Sequence, residues 1–491
     1  MGERTDVVVI GAGFAGIGMG IKLKESGRDD FVILEKHSDL GGTWRDNTYP
    51  GCACDVPSYL YSFSFEQNPR WTRMFSAQEE IWDYLRRCVD KYDLGAHIRY
   101  GAEVTCARFD ESAAEWQVDV DGAPPLRCHA LVSGVGALHH PRLPELPGLE
   151  TFAGTTFHSA RWRHDVDLAD QQVAVVGTGA SAIQFVPQIA PSVARLDLYQ
   201  RHAAWVTPKP DRQIPLRERL LYERHPLAQR LARALTYWLL EARGVGFALT
   251  PQAMGFLEKS ARRHLEHQVP DVELRRRLTP DYQIGCKRIL LSNDYYPALS
   301  RANVDLVTDP IAEVRQHSIV DSMGVERATD AIIFGTGFEV SGNLTRMKIL
   351  GRAGAEVNDV WGRRGIGAHL GITMAGFPNL FLLLGPNTGL AHSSVVFMIE
   401  RQVDYVIQAL DLLDRQGASS VEVRPGAEQG FLDRVQTRLT GTVWESGCTS
   451  WYIDAAGRNV AIWPYFAWKY WLETRRLRPT DFVIASVSAR Q

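Results

Sequence analysis

Asp6-Val7-Val8-Val9-Ile10-Gly11-Ala12-Gly13-Phe14-Ala15-Gly16 decides the fold. Residues 7–10 are a continuous apolar run, the pattern of a parallel strand buried on both faces. A glycine turn follows, then a helix-compatible stretch, then a second apolar run at 31–34. The turn spells GxGxxG. Its first glycine permits the sharp bend, the second lets backbone approach a pyrophosphate, and the third lets helix and strand pack closely. The helix start then offers free N–H groups and partial positive charge to phosphate. Glu35, at the end of the second run, can accept hydrogen bonds from ribose hydroxyls.

Residues 173–201 repeat this grammar. The run 173–176 leads into Gly177-Thr178-Gly179-Ala180-Ser181-Ala182, with alanine in the third glycine's place, and a further run follows at 196–200. Glu35 lies 24 residues after Gly11, and Arg201 lies 24 residues after Gly177. An acid suits a free ribose diol, and an arginine suits a 2′-phosphate through charge-assisted hydrogen bonds. The first site is therefore expected to take FAD or another diol-ended dinucleotide, and the second NADPH. The fold class expected is α/β: two doubly wound, Rossmann-like dinucleotide-binding domains with a helical insertion.

The flanking sequence places the boundaries. Two-residue alternation at 116–120 predicts an antiparallel strand, and three prolines mark 141–147 as a linker. Residues 212–280 are rich in Arg and Leu without strand signals and read as the helical insertion. Runs at 331–334 and 380–384 read as buried strands. The expected division is an FAD domain from 1–140 and 326–491, the latter with the C-terminal region, and an NADPH domain from 141–211 and 281–325.

Composition narrows the class. The chain has 491 residues and a net charge of −3, which suggests no nucleic-acid or anionic-membrane partner. The longest apolar candidate, 235–249, is broken by Glu241 and Arg243, so no membrane span is expected. Seven cysteines without CxxC or zinc-type Cys/His spacing suggest neither a disulfide framework nor a metal site, and a reduced cytoplasmic protein is expected.

Two further motifs carry a resemblance. One is Phe152-x-Gly154-x-x-x-His158-x-x-x-Trp162 followed by Arg163. The other is Gly41-Gly42-Thr43-Trp44, then Tyr49-Pro50-Gly51, then Asp55. With both glycine turns in order around them, the chain resembles the class B flavoprotein monooxygenases, specifically the type I Baeyer–Villiger monooxygenases, over nearly its whole length. Arg163 departs from that family's Pro or Asp.

The resemblance implies NADPH reduction of the flavin, then a C4a-peroxyflavin formed with molecular oxygen. That species inserts one oxygen atom beside a ketone carbonyl to give an ester or lactone. It implies molecular oxygen and a small organic ketone as partners, with no obligate protein partner. It makes Arg288 the active-site arginine, oriented by Asp55, and places Lys287 beside Arg201 at the 2′-phosphate. Trp451 would hydrogen-bond the nicotinamide ribose, and Val395 would meet the flavin ring through its backbone. The remaining cofactor contacts expected are Phe14, Ala15, Thr43, Trp44, Tyr61 and Val104 at FAD, and Thr178, Ala180, Ser181, Ala182 and Gln184 at NADPH. His158 sits between the domains and is expected to be conformational rather than an acid or base.

Three alternatives stand beside this. A flavin monooxygenase acting on sulfur or nitrogen would share the cofactors; Trp162 argues against it and Arg163 does not. A pyridine-nucleotide disulfide reductase would need a redox cysteine pair, and Cys52 and Cys54 lie in the right zone but one residue apart. A non-catalytic flavoprotein sensor would not need Asp55, Lys287 and Arg288.

Overall fold

The computed structural model describes residues 3–248, 254–339, 346–448, 450–454 and 456–486. Two sheets carry the two glycine turns. In the first, the order is Lys348–Leu350, Val104–Asp110, Glu115–Val120, Leu126–Ser133, Glu3–Ile10, Phe31–Leu34 and Ile98–Arg99. Leu126–Ser133 changes partner along its length. Its start pairs antiparallel with Glu115–Val120, and its end pairs parallel with Leu380–Leu382. The C-terminal portion thus returns to the N-terminal sheet. The second sheet is wholly parallel, in the order Val304–Val307, Arg195–Tyr199, Gln172–Val176, Ala331–Phe334 and Thr155–His158. Ala331–Phe334 therefore belongs to the second unit, beyond the division expected at 325.

Burial follows the apolar runs. Val8 and Val9 are wholly buried, as are Ala174 and Val175 in the second sheet. Helix Phe14–Glu25 carries Gly16, Gly18 and Gly20 because it is packed on several sides at once. A side chain at Gly18 would meet Phe63, and one at Gly20 would meet Ile33. Its other neighbours include Ile399 of helix Val395–Gln416, capped by Ser394, whose Oγ accepts from the Val396 N–H at 3.2 Å.

The expected insertion is helical: Leu216–Arg224, Pro226–Ala248, Met254–Gln268 and Val272–Arg277. Leu249, the end of the 235–249 stretch, lies outside the described residues. Among the described residues no helix is long and apolar enough to cross a membrane.

The expectation for the cysteines is corrected. Cys286 and Cys448 are bonded, with Cα atoms 6.3 Å apart, so the cysteines are not all reduced. The partners are 162 residues apart, and no local spacing announces them.

Candidate active site

The first glycine turn is closed by its own carboxylate. Gly11 has φ +95°, and a Cβ there would lie 2.9 Å from the Gly134 carbonyl oxygen. A Cβ at Gly16 would lie 1.8 Å from the Gly11 carbonyl oxygen, so the close helix–strand contact tolerates only glycine. Glu35 is 5% exposed. It accepts from the Ala12 N–H at 2.9 Å, the His37 N–H at 3.0 Å and Arg45 Nη1 at 3.0 Å. Gly42 packs against Gly13, bringing the Thr43–Asp46 helix over the turn. The first-turn amides of helix Phe14–Glu25 have no acceptor within the helix. A cradle built of glycine backbone, free amides and a carboxylate fits the phosphates and ribose of FAD.

Around this cradle the expected FAD residues converge. Trp44 donates its indole N–H to the Tyr61 hydroxyl at 3.1 Å, and Phe14 meets the Tyr61 ring edge-on at 5.2 Å. Ala15 is buried behind the turn, and Thr43 is exposed beside it. Val104 opens its strand two residues after Ala102, whose N–H donates to the Glu35 carbonyl at 2.9 Å. Val395 opens its long helix beside helix Phe14–Glu25. Sequence reasoning missed Arg45, Asp46 and His139. Burial pushes the Asp46 carboxyl up, but hydrogen bonds from His139 and Arg45 prevail and hold it at about 2. Together these groups lock the Glu35 corner.

The second turn is built alike and finished differently. Gly177 has φ +109°, and a Cβ there would lie 2.5 Å from the Gly335 carbonyl oxygen. Thr178 Oγ1 donates to the His202 carbonyl at 3.1 Å. Gly179, Ala180 and Ser181 lead into helix Ala182–Ile189, with Ala182 fully buried. Arg201 is exposed. Among the described residues neither Arg201 nor Lys287 has a carboxylate within ion-pair distance. Partial burial lowers the Lys287 ammonium, and the Arg201 charge lowers it further. The same two cations, after burial, also lower His202. Two cations without an ion-paired carboxylate, with Asp281 near enough to raise Lys287 again, fit the 2′-phosphate of NADPH.

Gln184, expected at NADPH, bonds across to the first unit. Its Oε1 accepts from the Tyr49 hydroxyl at 3.0 Å and the Ala53 N–H at 3.3 Å, and its Nε2 donates to the Ala53 carbonyl at 3.0 Å. Gly51, with φ +78°, is glycine because a Cβ would lie 2.9 Å from the Gln184 carbonyl oxygen. The Tyr-Pro-Gly motif is thus the seam between the two units.

Asp55 and Arg288 meet across this seam. Arg288 Nε lies 2.7 Å and Nη2 2.5 Å from Asp55 Oδ2. Both side chains keep an open face, 37% and 28% exposed. The Asp55 charge raises the guanidinium well above its usual range. Tyr452, 2% exposed, interacts with the pair electrostatically. Trp451 is 46% exposed and packs edge-on against Tyr452 at 4.5 Å. Lys209, also missed from sequence, lies near Asp55 with its ammonium lowered by burial. The arrangement can hold negative charge on oxygen at a preorganised cation.

The fingerprint residues are structural here. Trp162 packs between Phe157 and Phe185, with ring centroids 5.1 and 5.3 Å away. Burial pulls His158 down to about 4, and its Nδ1 accepts from the Ala160 N–H at 3.1 Å. Arg163 pairs at the surface with Asp165. Cys52 and Cys54 are unbonded and buried, and burial pushes the Cys52 thiol up to about 12 and Cys54 higher. Such thiols are inert and do not make a redox pair.

Comparisons with known proteins agree with this geometry. Residues 8–229 match the family described as pyridine nucleotide-disulphide oxidoreductase. The chain is 48% identical to a Baeyer-Villiger monooxygenase of Pseudomonas aeruginosa, over 100% of this chain and 94% of that one. Among solved structures it is similar to the OTEMO complex with FAD and NADP, with a TM-score of 0.89 and 25% identity over 99% of this chain and 100% of that one. It is also similar to cyclohexanone monooxygenase from Rhodococcus sp. Phi1 bound to NADP+, with a TM-score of 0.87 and 29% identity over 99% and 100% of the two chains.

Proposed function

We propose a division of labour that starts from one premise: this chain belongs to the Baeyer–Villiger monooxygenases and is an FAD- and NADPH-dependent oxidoreductase. Its substrate is a small organic ketone, and its product the ester or lactone with one oxygen inserted beside the carbonyl. When bound, FAD supplies oxygen activation and NADPH the hydride.

The chain's own residues do the rest. Glu35 takes the ribose diol, and the Gly11–Gly16 turn takes the pyrophosphate. Arg201 and Lys287 clamp the 2′-phosphate and so select NADPH over NADH. Arg288 holds negative charge on oxygen as it adds to the carbonyl. Asp55 aims Arg288 by holding both Nε and Nη2 of its guanidinium. Gln184 fixes the spacing of the two nucleotides by joining their units. Neutral His158 keeps the fingerprint segment in place without proton transfer. The cytoplasmic setting is part of the same reading, supported by five free cysteines.

The observation that carries the reading is the Arg288–Asp55 pair standing across the seam between an acid-ended and a base-ended dinucleotide site. Sulfur or nitrogen oxidation is not favoured, because two relatives 46–48% identical over nearly the whole chain are Baeyer–Villiger monooxygenases. The test is to supply a cyclic ketone and a thioether separately under labelled molecular oxygen. Labelled lactone as the main product is expected. Labelled sulfoxide with no lactone from any ketone in a panel would overturn the substrate assignment.

A further inference from the structure

The Cys286–Cys448 bond ties together the two segments that border the nicotinamide nucleotide in the reading above, on which this inference rests. Cys286 directly precedes Lys287 and Arg288. Cys448 lies three residues before Trp451 and four before Tyr452. The two segments also pack locally: a Cβ at Gly285 would lie 3.4 Å from Val443 Cγ1. The pairing is selective, because the other five cysteines, including Cys52 and Cys54, stay free. The partners are unequal in access, Cys286 being fully buried and Cys448 partly exposed.

We propose that Cys286 and Cys448 form a reversible thiol–disulfide site, oxidised by hydrogen peroxide, that holds the Lys287–Arg288 loop and the Trp451–Tyr452 segment together to receive NADP(H). The Cys448 sulfur attacks one peroxide oxygen, the S–O bond forms as the O–O bond breaks, and the departing hydroxide leaves with the thiol proton as water. The Cys286 sulfur then attacks the Cys448 sulfur. The S–S bond forms, the S–O bond breaks, and the second oxygen leaves as water with the second thiol proton. Two thiols lose two electrons, and one peroxide gains two. A dithiol reverses the step by exchange. The closed form removes arrangements in which the loop and the segment separate, and so lowers the ordering cost of binding the nucleotide.

The test uses the FAD-loaded full chain after hydrogen peroxide or dithiothreitol treatment, alkylated in denaturant and weighed intact. Peroxide should leave five alkylated cysteines and dithiothreitol seven, and Cys448→Ser should give six after either treatment. NADP+ titration should give a Kd about tenfold lower in the oxidised form, a size typical of coupled sites. Cys448→Ser should show the weaker Kd under both treatments. Seven alkylated cysteines after peroxide, or equal Kd in the two forms of the native chain, would overturn the proposal. Lys287→Ala separates the causes. If it weakens NADP+ while redox state does not, only the switch fails. If neither moves the Kd, the nucleotide-site reading fails, and the switch with it.

Discussion

The two glycine turns begin alike and end oppositely. The first closes on Glu35, a carboxylate 5% exposed and already bonded to two backbone amides and Arg45. The second opens onto Arg201 and Lys287, which among the described residues have no carboxylate within ion-pair distance, although Asp281 acts on Lys287 from further off. A site whose recognition group is fixed by the core suits a cofactor that stays. A site whose recognition charges wait unpaired suits one that comes and goes. The third turn position differs too: the first unit needs Gly16, whereas the second carries Ala182, fully buried at the start of its helix.

Breaking the first turn should have the largest effect. Gly16→Ala places a methyl 1.8 Å from the Gly11 carbonyl oxygen, an overlap that backbone cannot relieve. A cost above about 4 kcal/mol is expected, read as purified chain without flavin absorbance; normal flavin content would break the contrast between the turns.

Breaking the second turn's recognition should leave the fold and the flavin intact. Arg201→Ala with Lys287→Ala should raise KM for NADPH about 100-fold, as two charge-assisted hydrogen bonds predict, and leave KM for NADH little changed. Equal effects on both would show that these cations do not read a 2′-phosphate.

Loosening the seam should matter least. Gln184→Ala leaves the buried Tyr49 hydroxyl and the Ala53 backbone groups without their partner. A loss of about 1–3 kcal/mol is expected in thermal or denaturant unfolding, with both cofactors still binding. No change in stability would mean that the seam does not hold the units.

Most of the fold was legible because its signals are local. Apolar runs, glycine turns and the register of Glu35 against Arg201 all lie within single supersecondary units. What escaped depends on partners brought together by the fold. Gln184 is expected as a cofactor contact from the resemblance alone, and its bonds to Tyr49 and Ala53 reach 131 or more residues away. Arg45, Asp46 and His139 carry no motif of their own. Ala331–Phe334 looked like a return to the first sheet, because a short buried run does not say which sheet it joins. Cys286 and Cys448 are invisible as a pair for the same reason.

The central claim is that Arg288 acts on oxygen insertion and not on flavin reduction. The direct measurement is rapid mixing of Arg288→Ala with NADPH without oxygen, followed by product analysis with oxygen and a ketone. Flavin reduction should persist, while ester or lactone formation falls by about 10²–10³, the range for losing one preorganised charge-stabilising donor. Native yields of oxygenated product from Arg288→Ala would contradict the account.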